Sequence, residues 1–221
     1  MSCHSYIFFD RESNLYELGE KELANGKKEF AAVIERSTSI HTSAYGTLGL
    51  KPKTRFMLHF ETEEASDIQN LVSELLHTPF GRGLTISHTL LGMTRPSPYR
   101  PPHLQEKKPE ETLHPERRYL VVYPFTKTST WHLLPMEERR AMMGEHIAVG
   151  RKHTERISQL LLYSYGIDDQ EFIVSYECDD LLDFQTLVME LRATRGRAYT
   201  QSDTPIFTCV SVSIQEALSL V

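Results

Sequence analysis

Arg55-Phe-Met-Leu-His-Phe-Glu61, continuing to Thr78, and Glu171-Phe-Ile-Val-Ser-Tyr-Glu177, continuing to Thr194, align without a gap at an offset of 116 residues. Phe56 falls on Phe172, Glu61 on Glu177, Asp67 on Asp183, and Leu71-Val72 on Leu187-Val188. Each copy opens with alternation at period two, Phe172, Val174 and Tyr176 against Ile173 and Ser175. Each then turns to helical spacing, as at Phe184, Leu187, Val188 and Leu191. The stretch is therefore a strand followed by a helix, present twice.

Working outward, Glu29-Phe-Ala-Ala-Val33 falls on Glu145-His-Ile-Ala-Val149 at the same offset, so an earlier helix belongs to the repeat. Opening strands are expected at Tyr6–Phe9 and Tyr119–Tyr123, and a last strand at Ile206–Val212. The order β-α-β-β-α-β is the ferredoxin-like unit, an antiparallel sheet with both helices on one face. The fold class is thus α+β, two tandem ferredoxin-like units. The first unit is expected over residues 1–94 and the second over 118–221. Between them, the prolines and charges of residues 95–117 predict a linker loop.

The 221 residues suffice for such a pair, and a formal charge of −6 with scattered Lys and Arg offers no footprint for nucleic acid. Three widely spaced cysteines, Cys3, Cys178 and Cys209, suggest neither a disulfide framework nor a cysteine zinc site. No apolar run reaches the roughly 18 residues of a membrane span, and a cytoplasmic, reducing location is expected. Phosphate-binding glycine loops, HExxH and GxSxG are absent.

The disagreements between the copies carry the functional signal. His146 faces Phe30, and thirteen residues later Gln159 faces Ser43. The helix holding His146 starts after Leu134-Pro135, and Met142 and Met143 share its face, so the imidazole is expected to point inward. From the residues alone two readings stay open, a core histidine satisfied by one hydrogen bond and a ligand. His153 lies seven residues on, about 10.5 Å along a helix, too far to share one metal with His146. His41, His59, His77 and His88 have no metal-binding spacing and are expected at the surface or at caps.

Tyr123-Pro-Phe-Thr-Lys127, the run from Trp131-His-Leu-Leu-Pro135 to His146, Ser164-Tyr-Gly-Ile-Asp-Asp-Gln-Glu-Phe172 and Met189-Glu-Leu-Arg192 together resemble the chlorite dismutase-like haem family. The resemblance implies two fused ferredoxin-like units of the dimeric α+β barrel type, a homopentamer, and a haem in the second unit only, with His146 as proximal iron ligand and Trp131 against the porphyrin pocket. Chlorite dismutases carry arginine at the distal position thirteen residues later. Gln159 stands there instead, a neutral donor in place of a permanent cation, which disfavours chlorite decomposition. Arg156 is off that register.

Glutamine is similar to the coproheme decarboxylase branch, which finishes haem b by removing carboxyl groups from two propionates of iron coproporphyrin III. That likeness implies Tyr123 as the redox-active tyrosine, Lys127 as a carboxylate or proton-transfer residue, Gln159 as the residue that orients peroxide, and hydrogen peroxide as oxidant. For the propionates it leaves Arg95, Arg100, Lys107, Lys108, Arg117 and Arg118 as candidate donors. The chain departs from the family where Thr194-Arg195-Gly196 replaces a Thr-Glu-Ala whose glutamate can hydrogen-bond the proximal histidine, and where His132 replaces a second aromatic. Loss of that carboxylate weakens the iron bond and raises the reduction potential. Besides the decarboxylase, a weak chlorite dismutase or haem peroxidase and a non-catalytic haem-binding protein remain as alternatives.

Overall fold

The two periodicities become the elements they predict in the computed structural model, which describes residues 1–13, 15, 18–99 and 117–221. The chain runs β1 (Cys3–Arg11), α1 (Glu20–Arg36), β2 (His41–Gly46), β3 (Phe56–Thr62), α2 (Ala65–His77) and β4 (Leu84–Met93). It resumes with β5 (Tyr119–Lys127), α3 (Ser129–Leu133), α4 (Met136–Gly150), β6 (Ile157–Tyr163), β7 (Phe172–Cys178), α5 (Leu181–Arg192) and β8 (Thr200–Ser202). It ends with β9 (Phe207–Val212) and α6 (Ile214–Ser219). Most of the expected linker, residues 100–116, lies outside the described residues.

In the first unit β1 pairs with β3 and β4, and β2 pairs with β3, all antiparallel, giving the order β4-β1-β3-β2. The second unit repeats it as β8-β5-β7-β6. Even the register repeats: Cys3 opposes Thr62 and Tyr119 opposes Cys178, both partners displaced by 116. A residue pair fixed by side-chain alternation cannot slip by one without exposing its apolar face, so the duplicated pattern preserves the duplicated pairing.

One strand changes partners. The sequence reading carried the second unit to residue 221, whereas β9 pairs with β2, Ala44 opposing Val212 and Gly46 opposing Val210. The two compact units are accordingly Met1–Met93 with Phe207–Val221, and Thr94–Ile206. The strand homologous to β4 is interrupted: β8 has three residues, and Pro205, which lacks an N–H for a ladder, separates it from β9. The free edge of β2 then supplies partners for β9. On the same side α6 opens with a reciprocal cap in which Ser213 N donates to Glu216 Oε2 at 2.8 Å and Glu216 N to Ser213 Oγ at 3.2 Å.

The first core is filled by large apolar side chains from both helices and the sheet. α1 buries Gly26, Phe30, Ala31, Val33 and Ile34, and α2 buries Ile68, Leu71 and Leu75. They close over Phe9, Phe56, Leu58 and Phe60 of the sheet. Full burial of each large side chain stabilises by roughly 1.5–3 kcal/mol. The second unit contrasts sharply. α4 buries only Met142 and α5 only Leu187, while Leu182 and Met189 stay exposed. The smaller cluster beneath them is built on Ile157, Val174, Tyr176 and Leu187.

His59 differs from its expected surface place. It is buried on β3, and its Nε2 lies 3.1 Å from His4 Nδ1, so each imidazole is held neutral by burial. His77, at the end of α2, caps its helix through the Ser73 carbonyl at 2.6 Å.

Candidate functional site

The site is the helix-bearing face of the second unit. On β7 and its neighbours, Gln159 opposes Tyr176, and Tyr123 opposes Val174. Directly paired residues share a face and residues two apart on one strand share it too, so Gln159, Tyr176 and Tyr123 stand side by side across three strands. Helix α5 contributes Phe184, Leu187 and Leu191 to the cluster on that face. The strand register also refines the twin assignment. Thr42 opposes Phe60 as Gln159 opposes Tyr176, so the counterpart of Gln159 is Thr42 and not Ser43. One extra residue separates helix from strand in the second unit.

Tyr123 is half-buried, its ring stacked on Tyr176 with centroids 6.2 Å apart, and the two phenols share a hydrogen bond. Burial raises the Tyr123 phenol above its ordinary value, and the Tyr176 hydrogen bond pulls it partly back. Burial likewise pushes Tyr176 well up, so both are protonated phenols at neutral pH.

A register shift at Thr126/Lys127 ends β5 and turns Lys127 toward the site. Its N–H donates to Glu171 Oε2 at 2.7 Å, and its ammonium donates to Gly196 O at 3.1 Å and to Thr200 Oγ1 at 3.4 Å. The same ammonium lies 4.7 Å from the centre of the Trp131 ring. Burial, then the Arg197 charge, lowers the Lys127 pKa to about 8 against an opposing pull from Glu171. Trp131 sits on α3, which Thr128 caps through its side chain, and packs against Tyr199 at 5.5 Å and Tyr99 at 6.3 Å.

His146 on α4 is half-buried. Burial lowers its pKa, the Lys127 charge lowers it further, and Glu145 opposes them, leaving a neutral imidazole. Among the described residues no group hydrogen-bonds the ring. Arg195, at the place where the resemblance expects glutamate, instead donates from Nε to Glu145 Oε2 at 2.8 Å. Glu145 is thereby committed to a guanidinium, and among the described residues no acid hydrogen-bonds His146. The Gln159 amide is exposed and likewise makes no hydrogen bond among the described residues.

Comparison of twins shows what this face has been cleared for. At the offset of 116, Tyr123, Trp131, His146 and Tyr176 correspond to Ile7, Leu15, Phe30 and Phe60, all members of the first unit's apolar core. Phe30 there meets Phe80 edge-on at 5.4 Å. The counterpart of Phe80 is Gly196, where a Cβ would meet nothing within 4 Å. A pair of packed rings is thus replaced by an imidazole and a glycine whose Cβ position is open, under helices that bury one residue each. A neutral nitrogen donor, aromatic walls and an underfilled layer fit a flat iron porphyrin ligated by His146.

The structure brings Tyr123, Lys127, Trp131, His146 and Gln159 into one unit and adds residues the sequence reading passed over. Tyr176 was read only as a strand residue, although its twin Phe60 lacks the hydroxyl and so carried a usable signal. Glu171, Gly196 and Thr200 hold Lys127, a role that no spacing in the sequence assigns to them. Of the candidate propionate donors, Arg117 is already bound to Asp179 Oδ2 at 3.2 Å and to the carbonyls of Glu155 and Arg156. Arg118 lies against the Tyr119 ring, and Arg100, Lys107 and Lys108 lie outside the described residues. Arg156 is paired with Asp183 at 2.9 Å.

Residues 23–212 match the family model described as chlorite dismutase. A coproheme decarboxylase from Mycolicibacterium smegmatis is 27% identical over 176 residues, covering 79% of this chain and 74% of that protein. Among solved structures, a mutant chlorite dismutase from Candidatus Nitrospira defluvii superposes with a TM-score of 0.90 at 24% identity, covering 99% of this chain and 94% of that one. The chlorite dismutase of the same organism in complex with imidazole gives 0.89 at 24% identity with the same coverage. These structures share the fold, and among the described residues no helix is long and apolar enough to cross a membrane. With a family model spanning well over half of its residues, the chain belongs to the chlorite dismutase family.

Proposed function

We propose that this protein is a peroxide-dependent decarboxylase of iron coproporphyrin III, converting two propionates to vinyl groups to yield haem b. The observation that carries the reading is the exchange of the packed Phe30–Phe80 pair for His146 and an unfilled space at Gly196. The 27% identity to a coproheme decarboxylase and the neutral amide of Gln159 at the distal position support this member of the family's chemistries.

His146 would ligate the iron, and the haem with peroxide supplies the oxidising equivalents. Each round balances as propionate, hydrogen peroxide and one proton giving a vinyl group, carbon dioxide and two waters. Tyr123, oxidised by loss of its phenolic hydrogen, takes a hydrogen atom from the β-carbon of a propionate. Carbon dioxide would leave as the vinyl double bond forms, the second electron being accounted for by the two-electron reduction of peroxide to water. Tyr176, donating its O–H to the Tyr123 oxygen, would position that oxygen. The Lys127 ammonium would hold the reacting carboxylate, itself fixed by Gly196 and Thr200. The free Gln159 amide would hydrogen-bond peroxide.

The direct test adds iron coproporphyrin III to the haem-free chain, then peroxide in stepwise excess, and follows porphyrin mass. Successive losses of two carboxyl groups are expected, with none in His146→Ala. Tight binding with an unchanged mass would overturn the decarboxylase.

Lys127 sets a pH dependence. With its pKa lowered to about 8, the ammonium is present below that pH and lost above it. Porphyrin affinity should therefore fall as pH rises from 7 through 9, and Lys127→Arg, charged throughout, should remove the inflection. A dissociation constant that does not change across that range would show that Lys127 does not grip a carboxylate.

A further inference from the structure

Trp131 also forms a wall of a second cleft in the same unit, of about 270 Å³, with Phe172, Tyr163, Tyr165, Tyr99 and Arg139 around it and Arg95 among its lining residues. Arg139 belongs to α4, seven residues before His146. Seven residues are two helical turns, so Arg139 lies on the same face about 10.5 Å along the axis. Its Nε is buried without a hydrogen-bond partner, and among the described residues its guanidinium makes no ion pair. Four other arginines of this unit are engaged: Arg156 with Asp183, Arg195 with Glu145, and Arg192 and Arg197 with Asp203.

A buried guanidinium N–H without an acceptor is costly, and native proteins seldom leave one unless something else supplies the acceptor. The cleft states what kind. Aromatic rings, Tyr99, Tyr163, Tyr165, Trp131 and Phe172, line it, and Arg139 and Arg95 bring positive charge. Arg95 is exposed and unpaired among the described residues. Planar rings together with cationic forks suit a flat molecule whose edge ends in a carboxylate.

We infer that this cleft receives a non-reacting propionate carboxylate of the porphyrin, held by Arg139 with Arg95 beside it, an assignment that rests on the porphyrin reading above. Lys127 and Arg139 then grip separate carboxylates, with Trp131 common to both places. The lysine lies four residues beyond Tyr123 on β5, and the arginine would set which edge of the ring is presented to that tyrosine. Arg139 is a positioning residue.

The test titrates the haem-free chain with iron coproporphyrin III and, in the same detergent, with its tetramethyl ester, reading the porphyrin absorbance and quenching of Trp131, the single tryptophan. Arg139→Gln should weaken binding of the acid roughly 10- to 100-fold and leave the ester unchanged, with Arg139→Lys between wild type and Gln. Arg95→Gln should show a smaller loss. Equal loss of acid and ester in Arg139→Gln would mean a structural role and overturn the inference, as would an unchanged affinity for the acid. A wild type that takes up neither porphyrin overturns the inference together with the reading beneath it, whereas tight uptake insensitive to Arg139 overturns the inference alone.

Discussion

Tyr123→Phe is expected to bind iron coproporphyrin III as wild type does and to lose decarboxylation by roughly 10³-fold or more. The substitution keeps the ring, hence the stacking on Tyr176 at 6.2 Å and the packing of β5 against β7, and removes only the oxygen that exchanges a hydrogen atom. Tyr176 cannot substitute at full rate. Its phenol is buried, and it reaches the site through the Tyr123 hydroxyl that the substitution deletes. Porphyrin mass after addition of peroxide, set beside a dissociation constant from absorbance titration, separates chemistry from binding. Decarboxylation by the variant at the wild-type rate would remove Tyr123 from the mechanism.

Gly196→Phe is expected to reduce porphyrin uptake by roughly 100-fold or more while leaving the haem-free protein at least as stable as wild type. The ring would enter the space that Phe80 occupies in the first unit, where a Cβ at Gly196 now meets nothing within 4 Å. Filling that space buries apolar surface, a gain of roughly 1.5–3 kcal/mol if the ring is fully covered, with no strain from the backbone, whose φ is not positive there. The double substitution Gly196→Phe with His146→Phe restores the packed pair of the first unit and should raise the melting temperature further. Thermal unfolding without porphyrin, measured beside an absorbance titration, checks both parts. Normal uptake by Gly196→Phe would place the porphyrin elsewhere.

These expectations draw on different depths of the sequence. Local pattern was sufficient for the strands and helices, because period two and period 3.6 are written by immediate neighbours: Phe172, Val174 and Tyr176 in one case, Phe184, Leu187 and Leu191 in the other. The duplication then placed them in a β-α-β-β-α-β order, and His146 against Phe30 identified the unit with something to bind. The same comparison, carried one step further, would have picked out Tyr176 against Phe60 and Gly196 against Phe80. Both pairs were present in the sequence and passed over, because a strand aromatic and a loop glycine look ordinary without their partners in space.

Other features could not be read at any depth. The destination of β9 depended on an edge left open at β2, residues 44–46, far away in the chain. Arg195 at the expected glutamate place reads as a loss, and only the folded chain shows it bound to Glu145, so that among the described residues no carboxylate hydrogen-bonds His146. Among many arginines, none in the sequence is marked as free. Arg117 turned out to be spent on Asp179 and two carbonyls, whereas Arg139 keeps a buried donor unpaired. By itself the sequence determined the elements, their duplication and the asymmetry at His146, since periodicity and self-comparison are properties of the chain. Tertiary structure decided which strand edge was free, which charges were already neutralised and where a core was left unfilled, since each depends on long-range contacts between residues whose own neighbours give no sign of them.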